Sequence, residues 1–130
     1  MKRFFLLSVV VLTLIVSCKN ENSSVINVVS TEEMQNLLKL DEVQLVDVRT
    51  PEEFHSGYIQ NAQNIDYNSP TFDQDILQLD KEKPVLLYCH SGGRSAKCAT
   101  KLEEAGFKKI YDLEGGISRW KHEGLAVTNN

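Results

Sequence analysis

Disulfides, turn-rich repeats, basic clusters and long apolar spans are all scarce or missing in this chain. Of 130 residues only three are cysteine, so at least one thiol stays outside any intramolecular pair and no disulfide framework carries the fold. Three prolines and seven glycines exclude a collagenous or low-complexity chain. Lys and Arg number 14 against 18 Asp and Glu, a formal net charge of −4, with no basic cluster beyond Arg3. That balance argues against nucleic acid as a partner. No apolar run reaches the roughly 20 residues that a membrane-spanning helix needs. What is present, 42% hydrophobic and 25% charged residues, suits a single globular domain.

The longest apolar stretch lies at the start. Lys2 and Arg3 precede an almost wholly apolar run over residues 4–16, with no polar face and no amphipathic period. It is short for a spanning helix and fits the hydrophobic region of a secretory signal, so residues 1–17 are expected to be a signal peptide. Ile15-Val16-Ser17-Cys18 then resembles a bacterial lipobox. The resemblance implies cleavage before Cys18 and lipidation of its thiol; ordinary cleavage that leaves Cys18 free is the alternative. Residues 18–24 read as the lipidated cysteine and a polar tether, and residues 25–130 as the domain. Loss of residues 1–17 removes Lys2 and Arg3 and leaves 113 residues with a net charge of −6. A chain of that size still buries its own core. The expected location is the cell envelope, outside the cytoplasm, with the membrane contacted through the lipid alone. Lys19, in place of aspartate, favours an outer membrane in a cell that has one.

Along the domain, strand and helix signals alternate. Residues 25–29 form an apolar strand candidate, and Ser30 with Glu33 makes a capping box before Met34, Leu37 and Leu38 at helical spacing. Residues 43–48 are near-continuously apolar, as in a sheet covered on both faces. Thr50-Pro51-Glu52-Glu53 starts a short helix that Gly57 stops. Residues 62–65 suggest a brief strand, and Phe72, Ile76 and Leu79 fit one helix face. Residues 85–88 are a clear strand ending at Cys89; a helix follows over about 94–105, closed by Gly106. Residues 110–113 are the last strand, before a terminal helix whose Ile117 and Trp120 face the core. Alternation with short links predicts an α/β fold, a central mostly parallel sheet of about five strands with helices on both faces.

The chemistry lies in Cys89-His90-Ser91-Gly92-Gly93-Arg94-Ser95, between a buried strand and a helix N-terminus. Open α/β sheets bind ligands there, beyond the carboxyl ends of the strands. Two glycines let successive N–H groups turn inward, the helix start adds unsatisfied N–H groups, and Arg94 adds a planar permanent charge. All of these favour a Cys89 thiolate. A fall of about 2 units from an ordinary thiol pKa, near 2.7 kcal/mol, makes it mostly thiolate at neutral pH. Cys98, one turn into the helix and in line with Leu102, reads as core packing, and a Cys89–Cys98 disulfide fits the geometry poorly. His90 either influences the thiolate or the ligand or is simply an exposed loop residue. Asp47, Arg49 and Glu53, at a strand end beside a capped helix, read as a structural ion-pair and hydrogen-bond cluster.

These segments together resemble a single-domain rhodanese, of the thiosulfate sulfurtransferase family. The likeness covers nearly the whole mature chain. Residues 45–49 with Glu53-Phe54 and Gly57-Tyr58-Ile59 are similar to the family's first signature, with Tyr58 where histidine is usual and Asn61 where glycine is usual. Residues 88–95 match its active loop; Leu113-Glu114-Gly115-Gly116 and Trp120 match its closing signature, with Ala126 where proline is common. The resemblance implies a rhodanese-like fold and a sulfurtransferase in which Cys89 becomes a persulfide and residues 90–95 bind the substrate. It implies a small anionic sulfur donor such as thiosulfate, and a thiophilic acceptor: cyanide, a small thiol, a thioredoxin-type protein or another protein's cysteine. Neither metal nor organic cofactor is required, and a monomer is expected. Two other readings stand beside it. One is a catalytically silent binding module of the same fold. The other is a phosphatase or arsenate reductase, whose signature loop has one more residue between its cysteine and arginine than Cys89 to Arg94 has.

Overall fold

The computed structural model describes residues 24–129. The leader, Cys18 and the tether up to residue 23 lie outside the described residues. Five strands form one sheet: β1 (Ile26–Val29), β2 (Gln44–Asp47), β3 (Gln63–Asn64), β4 (Val85–Tyr88) and β5 (Ile110–Leu113). Their order is β1-β5-β4-β2-β3, and each neighbouring pair runs parallel. Five α-helices are found among the described residues: α1 (Thr31–Leu37), α2 (Pro51–His55), α3 (Phe72–Asp75), α4 (Gly93–Glu104) and α5 (Gly116–His122). This is the α/β architecture that alternation predicts, with every strand pair parallel. None of the described helices is long and apolar enough to cross a membrane.

The central strand explains the arrangement. All four residues of β4 are buried, because β2 and β5 pair with it in the plane and helices cover both faces. On one face, Val46, Leu87 and Ile110 pack with Phe72, Ile76, Cys98, Ala99 and Leu102. On the other, Leu45, Leu86, Tyr88 and Leu113 pack with Met34, Ile117 and Trp120. Successive strand residues point to opposite faces, so one run of apolar residues feeds both layers. The register sets Asp47 beside Tyr88, and the chain leaves β2 and β4 at the same sheet edge. That edge holds the loop at Cys89.

The local signals act as their chemistry requires. At Thr50 both halves of the capping box are made: the Glu53 N–H donates to Thr50 Oγ1 at 3.3 Å, and the Thr50 N–H donates to Glu53 Oε1 at 3.4 Å. At Ser30 only the hydroxyl half is seen, accepting from the Glu33 N–H at 3.1 Å. The single helix face expected from Phe72, Ile76 and Leu79 is broken: α3 gives way to a 3₁₀ turn at Ile76–Gln78, and Leu79 is extended. Thr71 provides no side-chain cap, so a four-residue helix tightens instead of propagating. All three apolar side chains are nonetheless buried. Asn61 has φ 71°, a left-handed conformation that asparagine tolerates better than most residues, which explains how it stands where the family has glycine. Tyr58 stacks on Phe54 with ring centroids 4.1 Å apart.

Candidate active site

Cys89 follows β4 directly and is only 1% exposed, so its sulfur lies on the floor of the loop. The chain turns back through Gly92, whose φ of 117° is left-handed and strained for any residue with a Cβ. That turn starts α4 without a side-chain cap. A helix start left uncapped presents its N–H groups to an anion. Here the sulfur takes that place. The Gly92 N–H donates to Cys89 Sγ at 3.1 Å, and Ser95 Oγ lies 3.4 Å from the same sulfur. Burial pushes the Cys89 thiol pKa up, but the Ser95 hydroxyl and the N–H groups of Ser95, Gly92 and Ser91 outweigh it and leave it below its ordinary value.

The loop is held in this shape from beneath by α5. The Ile117 N–H donates to the Cys89 carbonyl at 2.9 Å and the Ser118 N–H to the His90 carbonyl at 3.0 Å. Anchoring those carbonyls towards α5 leaves the following N–H groups free to face the sulfur. The contact requires glycine at 116. A Cβ there, at φ 59°, would lie 2.5 Å from the His90 oxygen and 2.6 Å from the Cys89 oxygen. Gly116 of the closing signature therefore belongs to the active loop's foundation.

Arg94 has a partner from another element. Its Nη1 and Nη2 donate to the two carboxylate oxygens of Glu53 at 2.7 and 2.9 Å. The hydrogen bond from Arg94 is the main reason that the Glu53 carboxyl is held down at about 2. Glu53 is thus separate from the cluster in which the sequence places it, and joins α2 to the start of α4. Asp47 and Arg49 do come together, fully buried: Arg49 Nη2 donates to Asp47 Oδ2 at 2.7 Å and to the Gly57 carbonyl at 2.7 Å. This pair fastens the β2–α2 connection beneath the site. The sequence counts Arg94, with the loop N–H groups and the helix start, among the groups that favour the thiolate. In the structure, hydrogen bonds from Ser95 and the loop N–H groups oppose burial at Cys89, and the guanidinium, which also feels the Cys89 charge, is matched by Glu53 and keeps three of its five N–H bonds for other acceptors.

The remaining loop residues divide by exposure. His90, Ser91 and Gly93 are exposed at the mouth, Gly92 and Arg94 are half-buried, and Ser95 is buried under the sulfur. Cys98 is fully buried among the α4 core residues, and burial pushes its thiol up to about 12, so it stays protonated. Cys89 and Cys98 are both free thiols. Asp112, which sequence reasoning passes over, lies in the same region on β5, 4% exposed, with Oδ1 lacking any hydrogen-bond partner among the described residues. Its signal was present in the pattern. Alternation along Ile110-Tyr111-Asp112-Leu113 puts Asp112 on the face of Ile110, beneath α4.

Comparison with known proteins agrees with this geometry. Residues 30–123 match the family described as the Rhodanese-like domain. The chain is 33% identical over 94 residues to the thiosulfate sulfurtransferase GlpE of Tolumonas auensis, covering 72% of this chain and 87% of that one. It is 31% identical over 103 residues to a sulfurtransferase of Allochromatium vinosum, covering 78% of this chain and 94% of that one. Among solved structures, a rhodanese-related protein from Thermoplasma volcanium superposes with a TM-score of 0.72 at 29% identity, covering 80% of this chain and 99% of that one. With a parallel five-stranded sheet, a cysteine on the floor of the β4–α4 loop and a family match across most of its described length, this chain belongs to the rhodanese-like domain family.

Proposed function

We propose that the protein is a sulfurtransferase in which Cys89 carries sulfane sulfur as a persulfide, taken from thiosulfate or a related small anionic donor. The observation that carries this reading is the Cys89 sulfur at 3.1 Å from the Gly92 N–H, on an uncapped helix start that favours negative charge at that point. In the first step the thiolate attacks the outer sulfur of the donor. A new sulfur–sulfur bond forms, the donor's own sulfur–sulfur bond breaks, and sulfite leaves with the electron pair. The persulfide's terminal sulfur is then anionic, and the loop N–H groups are disposed to hold it. In the second step an acceptor thiolate, or cyanide, attacks that outer sulfur and Cys89 leaves as thiolate. The three N–H bonds that Arg94 keeps for acceptors suit an oxyanion of the donor. The name of the Tolumonas auensis relative, thiosulfate sulfurtransferase, supports the same donor class, and that of the Allochromatium vinosum relative supports sulfur transfer.

Mass spectrometry of the intact protein tests this directly. Incubation with thiosulfate is expected to add one sulfur atom, a thiol acceptor to remove it, and Cys89→Ser to abolish the gain. No added sulfur on the wild-type protein overturns the reading. On the lipobox-like Ile15-Val16-Ser17-Cys18 rests a second part of the proposal, that the domain works at the cell envelope on a lipid carried by Cys18. Cys18→Ser in the producing cell is expected to block processing or to release the domain from membranes. A mutant that is cleaved and stays membrane-bound as the parent does refutes it.

A further inference from the structure

Discharge of a Cys89 persulfide needs an acceptor, and the two flanks of the loop come from different elements. β5 and β2 lie on opposite sides of β4 in the sheet. On one flank α2 follows β2 and brings Glu53, which holds Arg94. On the other α5 follows β5, and here a groove of about 420 Å³ is lined by Ser91, Gly115, Ser118, Arg119 and His122. The groove is continuous with the active loop. Ser91 precedes the Gly92 whose N–H meets the Cys89 sulfur, and the Ser118 N–H donates to the His90 carbonyl at 3.0 Å.

The groove is polar, and its cation is placed instead of trailing into solvent. Ser118 and Arg119 stand four and three positions before His122, so the three border one strip of α5. The Arg119 side chain lies back over Gly115: a Cβ at 115 would stand 2.8 Å from Arg119 Cβ and Nε and 3.1 Å from its Cδ. The glycine therefore leaves the room that brings this arginine beside the loop. Arg119 Nη1 lies 3.1 Å from Glu114 Oε2, its only ion pair among the described residues, and both side chains are about half exposed. So exposed a pair is weak, and an incoming carboxylate can compete with it. Ser118 and His122 add a hydroxyl and an imidazole N–H, and none of the five lining residues is acidic.

We infer that this groove binds the sulfur acceptor, and that the acceptor is a small thiol bearing a carboxylate, held by Arg119 and His122 with its sulfur towards Cys89. This rests on the reading of Cys89 as the sulfur carrier and names the class of molecule that unloads it. Donor and acceptor differ in reach. In thiosulfate the outer sulfur is bonded directly to the atom that carries the oxygens, so its charge stays over the loop when that sulfur meets Cys89. A thiol bearing a carboxylate has its charge several bonds from its sulfur, which suits a cation at the side of the mouth. In the transfer, the acceptor thiolate, its proton already lost to solvent, attacks the outer sulfur of the persulfide. A sulfur–sulfur bond forms to the acceptor, the bond from that outer sulfur to Cys89 Sγ breaks, and Cys89 leaves with the electron pair as thiolate. The acceptor departs as a persulfide. Arginine matches a carboxylate with two parallel N–H bonds, and fixing that end of the acceptor directs its sulfur to the loop.

The experiment loads the protein with sulfur from thiosulfate, removes the donor, and follows discharge by 3-mercaptopropionate or by its methyl ester at equal thiolate concentration. The acid is expected to saturate at a concentration at least about tenfold below the ester. Arg119→Gln is expected to raise the half-saturating concentration of the acid about tenfold, with the plateau rate and the ester unchanged, and Arg119→Lys to restore part. Glu114→Gln releases Arg119 from its counter-charge and is expected to lower that concentration about twofold to threefold. Discharge by cyanide, which carries no carboxylate, is expected to be the same in all of them. A second measurement needs no sulfur transfer. 3-(Methylthio)propionate, which has no thiol, is expected to slow alkylation of Cys89 by iodoacetamide in the parent and not in Arg119→Gln, read on the Cys89 peptide. Without ligand, the pH midpoint of that alkylation is expected to be the same in both. Equal half-saturation by acid and ester in the parent, or by the acid in parent and Arg119→Gln, overturns the inference. So does protection that is absent from the parent or persists in Arg119→Gln, and so does a midpoint raised by Arg119→Gln, which assigns the charge to the thiolate. A wild-type protein that takes no sulfur from thiosulfate defeats the sulfurtransferase reading, and the protection measurement then decides the groove by itself.

Discussion

Asp112→Asn should change how stability depends on pH, and the size of the change follows from burial. The Asp112 carboxyl rises from 3.8 to about 6 in the folded chain, because a site 4% exposed, with one oxygen unpartnered among the described residues, disfavours the charged form. A rise of roughly two units corresponds to about 3 kcal/mol of preference for the protonated form on folding. The folded state therefore binds this proton more tightly than the unfolded state does. Its contribution is fully present below about pH 4 and is lost as pH rises through about 6. Above that, the charged carboxylate costs the fold about 3 kcal/mol that a neutral asparagine does not. Urea unfolding of both proteins at pH 4 and pH 8 isolates the effect, since groups common to both cancel in the difference. The advantage of Asp112→Asn over the parent is expected to grow by about 2–3 kcal/mol between the two pH values. An advantage that is the same at both, or that shrinks towards pH 8, refutes the assignment of a buried, poorly solvated carboxylate.

Three other substitutions probe the parts of the site that come from distant segments. Gly116→Ala forces a Cβ to within 2.6 Å of the Cys89 and His90 carbonyls, so it should destabilise the fold by about 1–3 kcal/mol and lower sulfur uptake by at least about tenfold, checked by urea unfolding and intact mass. Glu53→Gln leaves Arg94 without its counter-charge. It should lower the Cys89 alkylation midpoint and tighten thiosulfate binding while costing less than about 1 kcal/mol, because the pair is partly exposed; a raised midpoint refutes the coupling. Cys98→Ala removes a buried sulfur that takes no part in the chemistry. It should cost about 1 kcal/mol and keep most of the sulfur uptake, and a loss equal to that of Cys89→Ser would point to a cysteine pair.

The sequence by itself determined whatever depends on near neighbours. The residues that cap α2, Thr50 and Glu53, are three positions apart, and their hydrogen bonds follow from that spacing alone. The whole path from β4 through Cys89 and Gly92 to Ser95 is contiguous, so the strand, the turn and the helix start that face the sulfur were legible together. Even the burial of Asp112 was written in the alternation of β5. Tertiary structure decided which charges meet. Glu53 belongs locally to the β2–α2 connection beside Asp47 and Arg49, yet its carboxylate reaches Arg94 across 41 positions of chain, because β2 and β4 are neighbours in the sheet and end side by side. Asp112 is buried only because β5 pairs with β1 and β4 in the sheet beneath α4. Gly116 is indispensable because α5 returns to the carbonyls of Cys89 and His90. A residue's chemistry and its local conformation are set within a few positions of the chain, whereas its partner is set by strand order and register, which no short stretch of sequence contains.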